Sequence, residues 1–226
     1  MNRKKCESSS ATLAAYKTIK KQIIAGKFKP GAPLIAKDLA LLIGTSRTPV
    51  REALHILQRD GLVEIIPGKG AFVTRITVED VIEVYQVREA LEGYATFLAA
   101  LSSDHSEFME LKYIFDRLDT DSNQADFEQY FQASSCLHET IIKKAANNRL
   151  LSMIKQFNSL VERIRLLPYK LINISDVSVR QNFLEHKEVL DAIIVRNPEK
   201  AELLMRRNLR INRDAIVNNW LTTIGQ

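Results

Sequence analysis

The stretch Leu39-Ala-Leu-Leu-Ile-Gly-Thr-Ser-Arg-Thr-Pro-Val-Arg-Glu-Ala-Leu-His-Ile-Leu57 reads as two helices joined by a tight turn. Gly44 breaks the first helical pattern directly after Ile43, where a sharp turn favours a backbone without a Cβ. Ser46 or Thr48 offers an oxygen to cap the helix that follows. Pro49 is tolerated in a first turn, whose N–H groups have no intrahelical acceptor. Along that second helix Val50, Ala53, Leu54 and Leu57 recur at helical spacing and form one apolar arc. Arg47, Thr48, Arg51 and His55 form a separate polar arc. One side is fit for a core, and the other presents two guanidiniums close to the helix N-terminus.

Outward from this pair, the pattern predicts a preceding helix over about 10–25, helices over about 36–43 and 46–59, and a hairpin of strands over about 62–66 and 71–74. Pro67-Gly68-Lys69-Gly70 forms the hairpin tip. Such a helix reads base edges in the major groove of B-DNA with its N-terminal residues. Arginine forks onto guanine, and threonine reaches a phosphate or a thymine methyl. The two glycines let backbone approach a phosphate, while Lys69 and Lys37 add charge there. An exposed basic face beside an ordinary hairpin would explain each feature singly. Their order and spacing together point to duplex DNA. RNA is the poorer partner, because side chains do not enter the A-form major groove.

The charge distribution agrees. Residues 1–75 hold 14 Lys/Arg against 5 Asp/Glu, whereas the remainder holds 18 against 22. A basic third on an acidic body suits contact with a polyanion. Six of the eight glycines and four of the six prolines also precede residue 76, so turns crowd the first part and long helices fill the second. Thr77-Val-Glu-Asp80 is a capping pattern that opens the second part. The expected organisation is a disordered stretch over 1–10, a DNA-binding domain over 11–75 and a helical domain over 76–226. Helices are expected near 78–101, 105–118, 124–145, 148–167, 178–196 and 198–221, with a loop over 168–177. The stripe Leu150, Met153, Ile154, Phe157, Leu160, Val161 and Ile164 reads as core packing. Two cysteines, Cys6 and Cys136, make neither a disulfide framework nor a zinc ligand set. With no apolar run long enough to span a bilayer and no signal peptide, the expectation is a cytoplasmic protein without a membrane partner.

Residues 11–75 resemble the winged helix-turn-helix of the GntR family of transcriptional regulators. The resemblance is carried by Asp38-Leu-Ala40, Ser46-Arg-Thr-Pro-Val-Arg-Glu-Ala-Leu54, Asp60-Gly-Leu-Val63 and Gly68-Lys-Gly-Ala-Phe-Val73. It implies that Lys37, Ser46, Arg47, Thr48, Arg51, Gly68 and Lys69 touch DNA. The second part resembles the all-helical FCD ligand-binding domain of the FadR subfamily, through Tyr85-Gln-Val-Arg-Glu-Ala-Leu-Glu92, Leu137-His138, Asn147-Asn-Arg-Leu150 and Glu185-His-Lys-Glu-Val-Leu-Asp-Ala-Ile193. The fold so implied is mainly α: three helices and a β-hairpin wing, followed by an antiparallel helical bundle.

That subfamily often holds a divalent metal such as zinc or nickel with one aspartate and three histidines. The resemblance puts His138 and His186 at two of those places, Ser134 at the aspartate and Asn208 at the third histidine. Serine and amide oxygens replace carboxylate and imidazole poorly at a transition metal. The alternative use of the site is direct effector binding by Arg88, Ser134, His138, His186 and Asn208, with Arg163 or Arg165 as a second positive charge and Tyr85 and Tyr130 as wall residues. The expected partners are therefore an operator duplex, an effector of the organic acid class and a second copy of the chain. The expected role is a repressor. A metal-dependent hydrolase at His138 and His186 is the competing class, but no phosphate loop, nucleophile elbow or intact metalloprotease motif accompanies it.

Overall fold

A computed structural model of the chain describes residues 3–118, 124–171 and 176–224. The chain divides into two compact units, 1–77 together with 156–167, and 78–155 together with 168–226.

The first unit opens with α1 (Arg3–Ile24), α2 (Ala36–Ile43) and α3 (Arg47–Arg59), followed by strands β1 (Val63–Ile66) and β2 (Gly70–Val73). α1 begins well before the expected residue 10, and nothing between Arg3 and Ile24 is glycine or proline to stop it. Gly44 closes α2 at φ 75° and ψ 39°, and its N–H bonds back to Ala40 and Leu41. This left-handed residue reverses the chain between the two helices. Ser46 stands at the N-cap of α3, but its side chain makes no capping hydrogen bond. The expectation that Ser46 or Thr48 caps this helix is corrected accordingly. The expected arc of α3 is buried: Val50, Ala53 and Leu57 are fully covered and Leu54 nearly so. They pack with Ala15, Ile19 and Ile23 of α1 and with Leu62, Val63 and Val73 of the hairpin.

β1 and β2 pair antiparallel, Val63 opposite Val73 and Ile66 opposite Gly70. Pro33 forms a bridge to Phe72, adding a short third edge. Ile66-Pro67-Gly68-Lys69 closes the hairpin with a Lys69 N–H to Ile66 carbonyl bond of 3.0 Å and Gly68 at φ 75°. Proline second and a positive-φ glycine third are the requirements of a type II turn.

The second unit is a bundle built from α4 (Val78–Ala100), α5 (Ser106–Arg117), α6 (Gln124–Lys144), α7 (Asn148–Lys155), the end of α8 (Asn158–Leu171), α9 (Asp176–Ile194) and α10 (Pro198–Ile224). Short polar side chains start several of them: the Ser106 N–H donates to Asp104, the Arg149 and Leu150 N–H groups to Asn147, and the Lys200 N–H to Asn197. The single helix expected over 148–167 is two helices, interrupted at Gln156 and Phe157. Its apolar stripe is accordingly shared. Leu150 and Ile154 are buried in the second unit, Val161 and Ile164 in the first, and Met153 is 51% exposed. Of the loop expected over 168–177, residues 172–175 lie outside the described residues, and α8 and α9 occupy the rest. Among the described residues no helix is long and apolar enough to cross a membrane.

Tyr16 of α1 donates to Asp60 Oδ2 at 2.6 Å and so fastens α1 to the end of α3. Burial, and then the Asp60 carboxylate, push its phenol up to about 12. A raised folded-state value means that the protonated phenol is favoured. The contribution is complete below the free value of 10.0 and is lost as pH rises through about 12. Tyr16→Phe should cost about 1 kcal/mol at neutral pH. It should also flatten the alkaline loss of stability, which urea unfolding at a series of pH values measures.

Candidate functional site

α3 and the hairpin present the polar residues that the sequence singled out. Arg47, Thr48, Arg51 and His55 are exposed on α3, as are Ser46 at its N-cap, Lys37 on α2 and Gly68 and Lys69 at the hairpin tip. The opposite face of α3 is fixed in the core, so these side chains cannot turn inward without unpacking it. Among the described residues the side chains of Lys37, Arg47, Arg51 and Lys69 have no hydrogen-bond or ion-pair partner. Four cations on one small unit are thus uncommitted, a surface suited to phosphate and to base edges.

The helical unit holds a second constellation, entirely buried. Arg88 is 2% exposed and Glu92, one turn on along α4, 3%. The guanidinium donates from Nε to Oε1 at 2.6 Å and from Nη2 to Oε2 at 3.2 Å, and lies over the Tyr85 ring. Burial would raise the Glu92 carboxyl; the Arg88 charge and the His138 contact outweigh it and hold the group well below the usual carboxylate range. His138 Nδ1 lies 2.6 Å from Glu92 Oε2. His138 Nε2 faces His186 Nε2 at 3.3 Å, and His186 Nδ1 lies 3.0 Å from Tyr130 Oη. Tyr130, Ser134 and His138 recur every four residues, on one face of α6. Phe115, fully buried, packs against both Tyr130 and His186.

Hydrogen-bond logic orders the protons. An ionised carboxylate only accepts, so His138 donates from Nδ1 to Glu92. Beyond it the chain can run either way. With His138 neutral, His186 donates from Nε2 and Tyr130 donates to Nδ1. With His138 protonated, it donates from Nε2 to His186, which then donates from Nδ1 to the Tyr130 oxygen. The Glu92–His138, His138–His186 and His186–Tyr130 contacts are therefore satisfied both with and without one added proton.

Ser134 Oγ lies 3.5 Å from His186 Nε2, so the structure brings Arg88, Ser134, His138 and His186 into one cluster through Glu92. Asn208 is fully buried but is engaged elsewhere: its amide donates to Asn182 at 2.6 Å and to Glu185 at 3.1 Å, and its oxygen accepts from Asn212. Arg163 is not in this cluster. It belongs to the first unit, where it donates to Thr74, because the helix expected over 148–167 breaks before it. Sequence reasoning missed Glu92 and Glu185. The spacing of Arg88 and Glu92, one helical turn apart, was the available signal for the first. Glu185, adjacent to His186, offered none.

The donor set does not fit a tightly held transition metal. Two imidazoles are half of the usual four ligands. The residue at the third-histidine place directs amide hydrogens into a satisfied network, and among the described residues no group of three or more His, Cys, Asp and Glu could hold an ion. Glu92→Gln strands a buried guanidinium and should destabilise the chain by about 3–5 kcal/mol. Glu92 is held low, so its contribution is present above the unfolded value of about 4.3 and is lost as pH falls towards the folded one. Urea unfolding should therefore show wild type losing stability on acidification below about pH 4 and Glu92→Gln losing less.

Comparison with known proteins places these two sites in a family. Residues 11–73 match the family model of bacterial regulatory proteins, gntR family, and residues 83–210 match that of the FCD domain. The chain is 29% identical to the uncharacterized HTH-type transcriptional regulator YdhC of Bacillus subtilis, over 84% of either chain. It is 30% identical to the "Probable D-xylose utilization operon transcriptional repressor" of Paenarthrobacter nicotinovorans, over 80% of this chain and 77% of that one. In fold it is similar to E. coli McbR/YncC, with a TM-score of 0.76 at 24% identity, covering 93% of this chain and 98% of that one. The matched domains and relatives are transcriptional regulators, not enzymes. The two exposed arginines of α3, the glycine-tipped hairpin and the buried helical cluster are thus parts of a transcriptional regulator of the GntR family, with an N-terminal DNA-binding domain and an FCD domain.

Proposed function

We propose that the chain is a cytoplasmic repressor that binds an inverted-repeat operator as a homodimer and leaves it when a small organic acid occupies the helical unit. The observation that carries the DNA reading is the division of α3 into a buried apolar arc and an exposed arc bearing Arg47, Thr48 and Arg51. One such helix reads one half-site, so two copies related by a twofold axis read an inverted repeat. In this reading Arg47 and Arg51 contact bases, Ser46 and Thr48 contact phosphate or a thymine methyl, and Lys37, Gly68 and Lys69 hold phosphates. The relative from Paenarthrobacter nicotinovorans is named a repressor, which supports that sign of regulation.

Arg88, Ser134, His138, His186 and Asn208 are the effector-binding residues in this proposal. Arg88 is already matched by Glu92, so an acid brings charge that must be met from elsewhere. The imidazole chain meets it by taking up one proton with its contacts to Glu92 and Tyr130 kept, and it does so without a metal. Operator affinity then changes by the difference in effector affinity between the DNA-competent and released arrangements.

Two experiments test the proposal. Arg51→Ala should lose about 1–3 kcal/mol on a duplex selected from a random library by the wild-type protein, and far less on a scrambled one. Lys69→Ala should weaken both alike and lower the salt slope by about one unit. Equal loss on both duplexes for Arg51→Ala would refute base reading. For the effector, short mono-, di- and tricarboxylic acids and neutral pentoses are titrated calorimetrically in two buffers of different ionisation enthalpy. An acid that binds with uptake of one proton supports the reading. Binding by a pentose alone refutes the acid class.

A further inference from the structure

Arg163 is 6% exposed, and the buried polar cluster of the helical unit does not use it. It lies in the N-terminal half of α8, which belongs with the DNA-binding unit. Its guanidinium grips one residue twice: Nη1 donates to Thr74 Oγ1 at 2.8 Å and Nη2 to the Thr74 carbonyl at 2.6 Å. Thr74 immediately follows β2. It is itself tied to the turn after α3, since its hydroxyl donates to the Gly61 carbonyl at 2.7 Å and its N–H to the Leu62 carbonyl at 3.1 Å. The base of the wing and the end of the recognition helix thus meet at Thr74, and a buried cation holds that junction.

The rest of this half-helix is fastened to the same unit. Lys20 of α1 donates to Ser159 Oγ at 2.9 Å and pairs with Glu162 at 3.4 Å, while Ile164 is fully buried. α8 is also the one described element with residues in both units, the boundary falling between Leu167 and Pro168.

We propose that Arg163 is a positioning residue for DNA binding: through Thr74 it holds the wing in the place from which Lys69 meets a phosphate. The inference rests on the reading of Lys69 as a phosphate contact. A buried charged fork that donates twice to Thr74 is costly to remove, because its loss leaves a hydroxyl and a carbonyl short of a donor. Once β2 is released at its base, the turn at its other end loses its fixed position and the wing's phosphate contact is lost with it.

The test is a double-mutant cycle in the full-length protein. It uses Arg163→Ala, Lys69→Ala and the pair, on a duplex selected from a random library and on a scrambled one, over a range of salt. Arg163→Ala should weaken both duplexes about tenfold near 0.1 M salt, the order of one lost phosphate contact, and lower the salt slope by about one unit. Adding Lys69→Ala should then cost less than about twofold, since the contact is already gone. Losses that multiply, with an unchanged slope for Arg163→Ala, overturn the proposal. Lys69→Ala without effect on the slope overturns the phosphate reading and this inference together; a normal effect there, with none from Arg163→Ala, overturns the inference alone. Circular dichroism melts check folding. If Arg163→Ala does not fold, Thr74→Val removes the hydroxyl and keeps the carbonyl. It should show a smaller loss with the same dependence on Lys69, and additivity there overturns the proposal equally.

Discussion

Arg88 and Glu92 carry opposite charges into a place closed to solvent, and neither could stay there charged without the other. The pair does more than neutralise itself. Glu92 has a second oxygen, and that oxygen orders His138, which orders His186, which reaches Tyr130. Side chains from α4, α6 and α9 are thereby joined in one hydrogen-bonded chain, fixed in direction only where His138 donates to Glu92, and Phe115 closes over them. A cluster of this kind costs stability if any member is left unsatisfied, so it enforces one arrangement of the helices. It also keeps one degree of freedom, the direction in which the imidazole protons run.

The DNA-binding unit works by a different constraint. Among the described residues its recognition helix has no charge pair to anchor it. Its position is set by Val50, Ala53, Leu54 and Leu57 in the core, by the left-handed turn at Gly44, and by Tyr16 on Asp60 at its far end. Because those contacts are all on one side, Arg47 and Arg51 remain exposed and uncommitted. The hairpin is oriented from the other side by Thr74, bonded both to the turn after α3 and to Arg163. Rigid apolar packing and a few directional bonds thus present cations without neutralising them.

Much of this was legible in the residues. The two-arc pattern of α3, the glycine at residue 44 and the Pro-Gly-Lys-Gly tip are local features, governed by helical period and turn geometry. They placed α2, α3 and the hairpin to within a residue or so. The stripe from Leu150 to Ile164 shows where such reading stops. Its period is unbroken in sequence, yet it serves two helices in two units, because periodicity reports that a face is buried and not against what.

By itself the sequence determined the order of the elements, the basic face of the first unit, and the residues that line one side of each helix. Those follow from short-range sterics and from which side chains leave water. The tertiary structure alone decided the partners. Arg163 was expected near an effector and holds Thr74 instead; Asn208 was expected to line the site, and its amide is already bonded to Asn182, Glu185 and Asn212. Arg88 was expected to be open to a ligand and is matched by Glu92. A buried polar group must be satisfied by whatever donor or acceptor packing brings within about 3 Å, and that neighbour is set by long-range contacts that no local pattern encodes.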